Sequence, residues 1–186
     1  VIATDVDTKA GRETVKDIEE KGGNAVFHYL DVRDKNGFEQ LLGEIKQQYG
    51  TLDYLFNNAG IAIMGEMRDQ THDDWQRMID INQMGVLYGS MAAYKIMVAQ
   101  GSGHIVNTAS VAGLVPAPMM TAYSMTKHAV VGLSGGLRAE GKALGVKVSA
   151  VCPGIIRTSI ADKDFNRNAT IGNPFEMVEK RFKSKT

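Results

Sequence analysis

Short apolar runs alternate with longer helix-like runs along most of this chain of 186 residues, and short connections join them. Residues 104–158 show the pattern most clearly, because the apolar runs HIVNTAS and VKVSAVC enclose the helix-like run AYSMTKHAVVGLSGGLRAEGKALG. Apolar strands with helices between them are typical of a parallel sheet that is covered on both faces. The sequence therefore predicts an α/β fold, and no repeat or linker divides residues 1–186, which we expect to form one domain.

The strands and helices can be assigned from the apolar periodicity and from the capping and turn residues. Strands are predicted at residues 1–5, 25–32, 52–58, 104–110 and 146–152. Helices are predicted from residue 9 to the stop at Gly22–Gly23, from the N-cap Asp34 to Gly50, from 73 to about 99, and from 122 to 145.

Tyr123 and Lys127 lie four residues apart in the last predicted helix, so their side chains leave one face of it, one turn from each other. A phenol in water ionises near pH ~10, which is too high for a base at neutral pH. A neighbouring ammonium favours the phenolate and lowers the phenol pKa. The pair can then exchange a proton with a substrate hydroxyl or carbonyl, although the same spacing also occurs by chance on amphipathic helices.

Other residues at strand ends and turns accompany this pair. Ser110 ends the strand that precedes the helix, Asn82 lies in the long third helix, and Pro153 and Gly154 follow the last strand. The combined set resembles the short-chain dehydrogenase/reductase family, in the branch that carries Tyr-x-x-x-Lys and Asn-Asn-Ala-Gly motifs. The matching residues are Asp5, Asp31–Val32, Asn57–Gly60, Asn82, Ser110, Tyr123–Lys127 and Pro153–Thr158. The resemblance implies a doubly wound parallel sheet of the Rossmann type.

The resemblance also implies a role for each of four catalytic residues. Tyr123 would be the acid–base, and Lys127 would lower its pKa and bind the nicotinamide ribose. Ser110 would donate a hydrogen bond to the substrate oxygen and fix its position. Asn82 would interrupt the helix geometry locally and hold a water that relays protons to Lys127; alternatively, it is a polar helix residue that faces solvent.

Two acids that end strands are implied to bind the adenosine half of a dinucleotide. Asp5 would accept hydrogen bonds from the ribose, and because no basic residue follows it directly, it favours NAD over NADP. The alternative is that Asp5 only caps the next helix. Asp31 and Val32 would contact the adenine through a carboxylate and a backbone amide.

Two turns complete the implied cofactor site. Asn58, Ala59 and Gly60 would bring the backbone close to the dinucleotide, where a side chain at Gly60 would obstruct it; the alternative is a tight turn with no further role. The residues that would hold the nicotinamide carboxamide are Pro153, Gly154, Ile156 and Thr158.

The strand and glycine-rich turn that hold a pyrophosphate in this family should precede Asp5, and they are missing from the sequence. In the strand order 3-2-1-4-5-6 the missing strand is central. We therefore expect the first two strands to be separated from the other three. We also expect the chain to be a fragment that is incomplete at the N-terminus and short at the C-terminus.

The composition limits the partners that we expect. Lys plus Arg and Asp plus Glu number 21 each, so there is no basic surplus of the kind that nucleic acids or anionic membranes attract. The single cysteine, Cys152, excludes an intrachain disulfide framework, and no Cys/His cluster has the spacing of a zinc site. No apolar run approaches the ~20 residues of a membrane span. We expect a cytoplasmic protein with a small-molecule substrate and no metal.

The predicted function is NAD-dependent interconversion of a secondary alcohol and a ketone. The apolar segment 111–120 should wall the substrate pocket, which favours an apolar substrate, and the segment after Thr158 resembles the substrate lid of the family. Gly135 and Gly136 within a helix suggest close approach of a second helix, so we expect a homodimer or homotetramer. The alternatives are an NADPH-dependent carbonyl reductase and a non-catalytic dinucleotide-binding or scaffold protein.

Overall fold

The computed structural model describes residues 1–156 and residue 160 of the chain. The strands are β1 Ile2–Asp5, β2 Val26–Tyr29, β3 Tyr54–Asn57, β4 Gly103–Thr108 and β5 Val146–Val151. The α-helices are α1 Thr8–Glu20, α2 Lys35–Tyr49, α3 His72–Met78, α4 Gly85–Gln100 and α5 Thr121–Gly141. A π-helical turn, Ile79–Met84, joins α3 to α4, and 3₁₀ turns occur at Met67–Asp69, Val111–Gly113 and Lys142–Leu144.

Side chains and glycines in the sequence set the ends of the helices. The carboxylate of Asp34 accepts a hydrogen bond from the amide of Gly37 and starts α2, which ends at Gly50 with a φ of 76°. Thr71 and Asp74 form a reciprocal capping box at the start of α3. The predicted helix start at Asp34 is thus confirmed, and the helix predicted from residue 73 begins one residue earlier, at His72.

The strands form two separate parallel sheets, β1–β2 and β3–β4–β5. Ile2 lies opposite Val26 in the first sheet, and Tyr54 lies opposite His104 in the second. Within the described residues no strand joins β1 to β3, which is the position of the central strand in the Rossmann order. The prediction of a Rossmann-type α/β fold that lacks its first strand is confirmed.

The main apolar core lies between the second sheet and the helices α2 and α4. Phe38 and Leu42 from α2 pack with Met97 from α4 and with Ile105 in the centre of β4, and the side chains of Met97 and Ile105 are completely buried. This packing holds β4, and therefore the residues that follow it, in a fixed position relative to α4. None of the helices in residues 1–156 has the length and apolar character that crossing a bilayer requires.

Candidate active site

The carboxyl ends of parallel strands lie at one edge of a sheet, and the predicted site residues follow those ends. Asp5 is the last residue of β1, Asn58 follows β3, Ser110 follows β4, and Pro153 follows β5. The backbone amide of Val111 donates a hydrogen bond to the carbonyl oxygen of Pro153 at 2.9 Å, which links the chain after β4 to the chain after β5.

Ser110, Tyr123 and Lys127 come together beside the end of β4. The Ser110 hydroxyl lies close enough to the Tyr123 phenol to act on its pKa as a hydrogen-bonding group. The Nζ atom of Lys127 lies 5.6 Å from the centroid of the Tyr123 ring and donates a hydrogen bond to the carbonyl oxygen of Thr108 at 2.8 Å. All three predicted side chains are buried, with exposed fractions of 9% for Ser110, 8% for Tyr123 and 3% for Lys127.

Burial changes the pKa of both titratable groups. Burial raises the pKa of Tyr123, and the hydrogen bond from Ser110 lowers it by a smaller amount. Burial also lowers the pKa of Lys127 from 10.5 to about 8. The prediction that Lys127 lowers the phenol pKa is wrong for this arrangement, because desolvation of the phenol dominates and Ser110 supplies the opposing effect.

Asn82 lies in the π-helical turn and is completely buried. Its Oδ1 accepts a hydrogen bond from the amide of Ile61 at 2.8 Å, and its Nδ2 donates to the carbonyl oxygen of Ile61 at 2.8 Å and to Oγ1 of Thr126 at 3.3 Å. The predicted interruption of the helix is confirmed, and the alternative of a solvent-facing Asn82 is wrong. The proton relay through a water stays a prediction.

Gly60 lies against the side chains of Asn82 and Lys127. A Cβ atom at this position would lie 3.2 Å from Oδ1 of Asn82 and 3.5 Å from Nζ of Lys127. Glycine at this turn therefore lets the backbone approach the buried ammonium and amide. The adjacent Asn58 accepts a hydrogen bond from Oγ1 of Thr108 at 3.0 Å, so the turn is connected to β4 as well.

The residues predicted for the adenosine half are more exposed. Asp5 is exposed, and its Oδ1 accepts a hydrogen bond from the amide of Asp7 at 2.8 Å. The N-cap of α1 is Asp7, so the alternative that Asp5 caps this helix is wrong. Val32 is partly buried against Gly85, where a Cβ atom would lie 2.9 Å from Val32 Cβ.

Gly154 and Ile156, which were predicted to hold the carboxamide, are exposed, and Pro153 is partly buried. Thr158 lies outside the described residues, as does the segment that was compared with a substrate lid. Residues 1–156 and 160 contain no group of three or more His, Cys, Asp or Glu side chains that could bind a metal ion.

Comparison with known proteins identifies the family of this chain. The family model described as short chain dehydrogenase matches residues 1–169. The chain belongs to the short-chain dehydrogenase/reductase family. An uncharacterized oxidoreductase of Thermotoga maritima is 34% identical to it over 180 residues, which are 97% of this chain and 70% of the relative. An uncharacterized oxidoreductase of Staphylococcus aureus is 38% identical over 130 residues, 70% of this chain and 56% of the relative.

Solved structures of the same family share the fold. A short-chain dehydrogenase/reductase from Burkholderia phymatum in complex with NAD superposes with a TM-score of 0.83 at 34% identity, over 92% of this chain and 62% of that one. A gluconate 5-dehydrogenase from Burkholderia cenocepacia, in complex with NADP and tartrate, superposes with a TM-score of 0.80 at 26% identity. That match covers 86% of this chain and 62% of the other. The chain therefore spans less than two thirds of the length of these two structures.

The structure of this family member adds a buried polar network that the sequence patterns did not reveal. Nδ2 of Asn57 donates to Oδ1 of Asn107 at 2.8 Å and to Oγ of Ser90 at 3.1 Å, and Nδ2 of Asn107 donates to Oγ of Ser134 at 3.0 Å. The four side chains are at most 7% exposed. Buried polar groups that satisfy one another in this way fix a unique packing, so the network holds β3, β4, α4 and α5 together behind the site.

Arg33 makes a second contact that the sequence patterns did not reveal. Its guanidinium contacts both carboxylate oxygens of Asp31, with Nη2 at 2.6 Å from Oδ2. This contact lowers the pKa of Asp31 and raises that of Arg33. The adjacent Asp–Val–Arg sequence could have suggested the pair, but a spacing of two residues has no fixed geometry outside a helix or strand.

Proposed function

We propose that the protein is an NAD(H)-dependent oxidoreductase that interconverts a secondary alcohol and a ketone, with Tyr123 as the acid–base. The observation that carries the proposal is the burial of the Tyr123 phenol beside two groups: the Lys127 ammonium, 5.6 Å from its ring centroid, and the Ser110 hydroxyl, which lowers the phenol pKa. The three groups are close together, buried and adjacent to the end of a central strand. Membership of an oxidoreductase family supports the same reaction class.

Ser110, Tyr123 and Lys127 have separate roles in the proposed proton transfer. When substrate is bound, the Ser110 hydroxyl donates its one proton to the substrate oxygen instead of the phenol and holds that oxygen next to Tyr123. Tyr123 then gives the oxygen a proton in reduction or removes it in oxidation. Nζ of Lys127 donates one hydrogen bond to the carbonyl oxygen of Thr108 and lies 3.5 Å from the position that a Cβ atom at Gly60 would take, so its other donors are available on the side of Gly60. The pKa of about 8 keeps this lysine mostly protonated at neutral pH.

The described residues fit a nicotinamide dinucleotide, which supplies the hydride acceptor or donor when it is bound. Gly60 has no side chain to fill the space beside Asn82 and Lys127, and an exposed acid, Asp5, ends β1 where a ribose can be bound. Asp31, Val32, Asn58, Ala59 and Gly60, together with Pro153, Gly154, Ile156 and Thr158, are the further residues proposed to bind it.

NAD is the proposed cofactor because Asp5 would repel the 2′-phosphate of NADP and no basic residue follows it directly. Among related structures, the Burkholderia phymatum protein is in complex with NAD and the gluconate 5-dehydrogenase is in complex with NADP. Titration of the protein with each reduced nucleotide, followed by fluorescence, tests the choice: tighter binding of NADPH would contradict it.

An apolar alcohol or ketone is the proposed substrate. The Tyr123 ring packs in a buried cluster with Ala62, Met64 and Met78, and Ala117 and Met120 from the predicted pocket wall pack against that cluster. Met119 has a φ of 64°, which is uncommon for a residue with a side chain. Its carbonyl oxygen accepts a hydrogen bond from the amide of Gly65 at 2.9 Å. This bond joins the two loops that would face the substrate.

We also propose that residues 1–186 act as one dinucleotide-binding and catalytic domain, in the cytoplasm, as a homodimer or homotetramer. A Cβ atom at Gly135 or Gly136 would meet no described atom within 4 Å, so this face of α5 is open to a second helix. A monomeric mass in light scattering at micromolar concentration would contradict the assembly.

A substrate screen that follows nicotinamide absorbance tests the proposed reaction. The full-length gene product is assayed with NADH and a panel of apolar and polar ketones, and with NAD and the matching alcohols. We expect turnover of at least one ketone with a preference for apolar members. Failure of the protein to oxidise or reduce any of them while it binds NADH would contradict the reaction and favour a binding or scaffold role.

A further inference from the structure

The hydroxyl of Ser124, directly after Tyr123, forms a hydrogen bond that the proposed function does not use. Its Oγ donates to the carbonyl oxygen of Ala112 at 2.5 Å, across to the 3₁₀ turn Val111–Gly113. The amide of that same Ala112 donates to Oγ of Ser110 at 3.1 Å. One residue of the turn is therefore bound to Ser124 through its carbonyl group and to Ser110 through its amide.

The turn is also held against α5 at a second point. A Cβ atom at Gly113 would lie 2.7 Å from the carbonyl oxygen of Lys127 and 2.8 Å from its carbonyl carbon. These are backbone atoms of a helix, which cannot move away as the end of a flexible side chain can. Gly113 and Ser124 thus fix the turn to α5 at two positions about one helical turn apart.

The amide of Ala112 determines which way the Ser110 hydroxyl points. This amide occupies one acceptor position on Oγ of Ser110, so the hydroxyl proton is directed away from the turn. The same hydroxyl lies beside the Tyr123 phenol and lowers its pKa. A shift of the turn would therefore move the Ser110 proton relative to the phenol, and small errors in such geometry reduce rates strongly.

We propose that Ser124 is a positioning residue: by holding the carbonyl group of Ala112 it fixes the turn Val111–Gly113, and the turn aligns the Ser110 hydroxyl with the Tyr123 phenol. The inference rests on the proposed function of Ser110 and Tyr123. The Ser124 hydroxyl contacts Ala112 and His128, so its proposed action on the phenol goes through Ser110.

The test compares Ser124→Ala with Ser134→Ala. Ser134 is a suitable control because it is a buried serine of the same helix, 3% exposed, whose Oγ donates to the carbonyl oxygen of Val130 at 2.7 Å and has no contact with the turn. Each change removes two contacts of a buried hydroxyl: Ser124 loses its bond to Ala112 and a contact with Nδ1 of His128 at 3.5 Å, and Ser134 loses its bond to Val130 and the one it accepts from Asn107. Both changes therefore reduce stability. Lys127 and His128 are the charged or titratable side chains beside Tyr123 and Ser124 among the described residues, and both variants retain them.

Two readouts distinguish positioning from stability. The first is kcat with a ketone found in the screen, which we expect to fall by about tenfold or more in Ser124→Ala and by less than about twofold in Ser134→Ala. The second is ionisation of Tyr123, followed by ¹³C NMR of tyrosine Cζ and assigned with Tyr123→Phe. Ser110 lowers the phenol pKa, so a loss of alignment should raise it. We therefore expect the ionised fraction of Tyr123 at pH 10 to fall by about threefold in Ser124→Ala alone.

A double-mutant cycle then tests whether Ser124 acts through Ser110. In a Ser110→Ala background, Ser124→Ala should have no further effect on kcat or on Tyr123 ionisation. Equal effects of Ser124→Ala and Ser134→Ala, or an effect of Ser124→Ala that persists without Ser110, would overturn the proposal.

Gly113→Ala disturbs the other end of the turn and should reproduce the change in Tyr123 ionisation. If no substrate is turned over, the proposed function fails, and the NMR titration still decides the role of Ser124 because it requires no turnover.

Discussion

The ammonium of Lys127 donates a hydrogen bond to the carbonyl oxygen of Thr108 at 2.8 Å, which connects α5 to the carboxyl end of β4. The lysine is almost completely buried, and burial lowers its pKa to about 8. A charged group in this position is costly for folding. Its presence in the site, beside a buried phenol, is the kind of arrangement that functional sites maintain at the expense of stability.

The first prediction is that the free-energy cost of burying the Lys127 ammonium depends on pH. Lys127 has a lower pKa in the folded chain than the ordinary value of 10.5, so between pH 8 and 10.5 the unfolded state binds more protons and the free energy of unfolding rises with pH. Below pH 8 the full cost is present. Relative to Lys127→Met, the wild type should gain up to about 3 kcal/mol over this range.

Urea unfolding of the two proteins at several pH values from 7 to about 10.5 measures this difference, and the other titrating groups cancel in the comparison. A difference between the two proteins that stays constant with pH would contradict the depressed pKa of Lys127.

The second prediction is that Tyr123→Phe lowers kcat by about 10²-fold to 10⁴-fold, the range expected for loss of a general acid–base. Binding of NADH, measured by fluorescence, should change little because the ring is retained. Tyr94→Phe is the matched control, since the Tyr94 hydroxyl is buried and has no hydrogen-bond partner among the described residues. That variant should retain full activity and be as stable as the wild type or more stable. Wild-type turnover by Tyr123→Phe would refute the assigned role.

The third prediction separates two buried asparagines. Asn82 binds both backbone groups of Ile61 next to the site, and Asn107 binds Asn57 and Ser134 behind it. Each change to Ala should lower the free energy of unfolding by about 2–4 kcal/mol, because buried partners lose their hydrogen bonds.

Only Asn82→Ala should also lower kcat, by about tenfold or more, because it releases the segment that faces Lys127. Kinetic measurements at a temperature where both variants are folded make the comparison. Equal kcat values for the two variants would show that Asn82 contributes to stability alone.

The fourth prediction concerns Asp5 and the choice of cofactor. Asp5→Asn removes the charge that would repel a 2′-phosphate, and the ratio of kcat/KM for NADP to that for NAD should rise by about tenfold. Asp7→Asn removes a nearby charge while an amide oxygen still caps α1, so it should leave the ratio nearly unchanged. The same change in both variants would mean that only the general electrostatic field was altered.

Local patterns in the sequence were sufficient to predict much of the fold. Asp34 and Gly50 delimit α2 as predicted, because capping depends on side chains and backbone angles within one turn. The family motifs predicted that the first two strands are separated from the other three, as they are among the described residues, because strand order follows from the topology of the family. The motif spacing also selected Ser110, Tyr123 and Lys127, which the fold brings together.

Tertiary structure determined the electrostatics and the supporting contacts. Desolvation raises the pKa of Tyr123 and lowers that of Lys127, and burial of this kind depends on residues distant in sequence, so the spacing of the pair gave the wrong direction for the phenol. The contacts of Asn57 with Asn107, of Asn82 with Ile61 and of Ser124 with Ala112 likewise join separate elements. The sequence by itself therefore determined the elements, their order and the groups proposed to react, whereas the packing of those elements decided the pKa values of these groups and the residues that hold them in place.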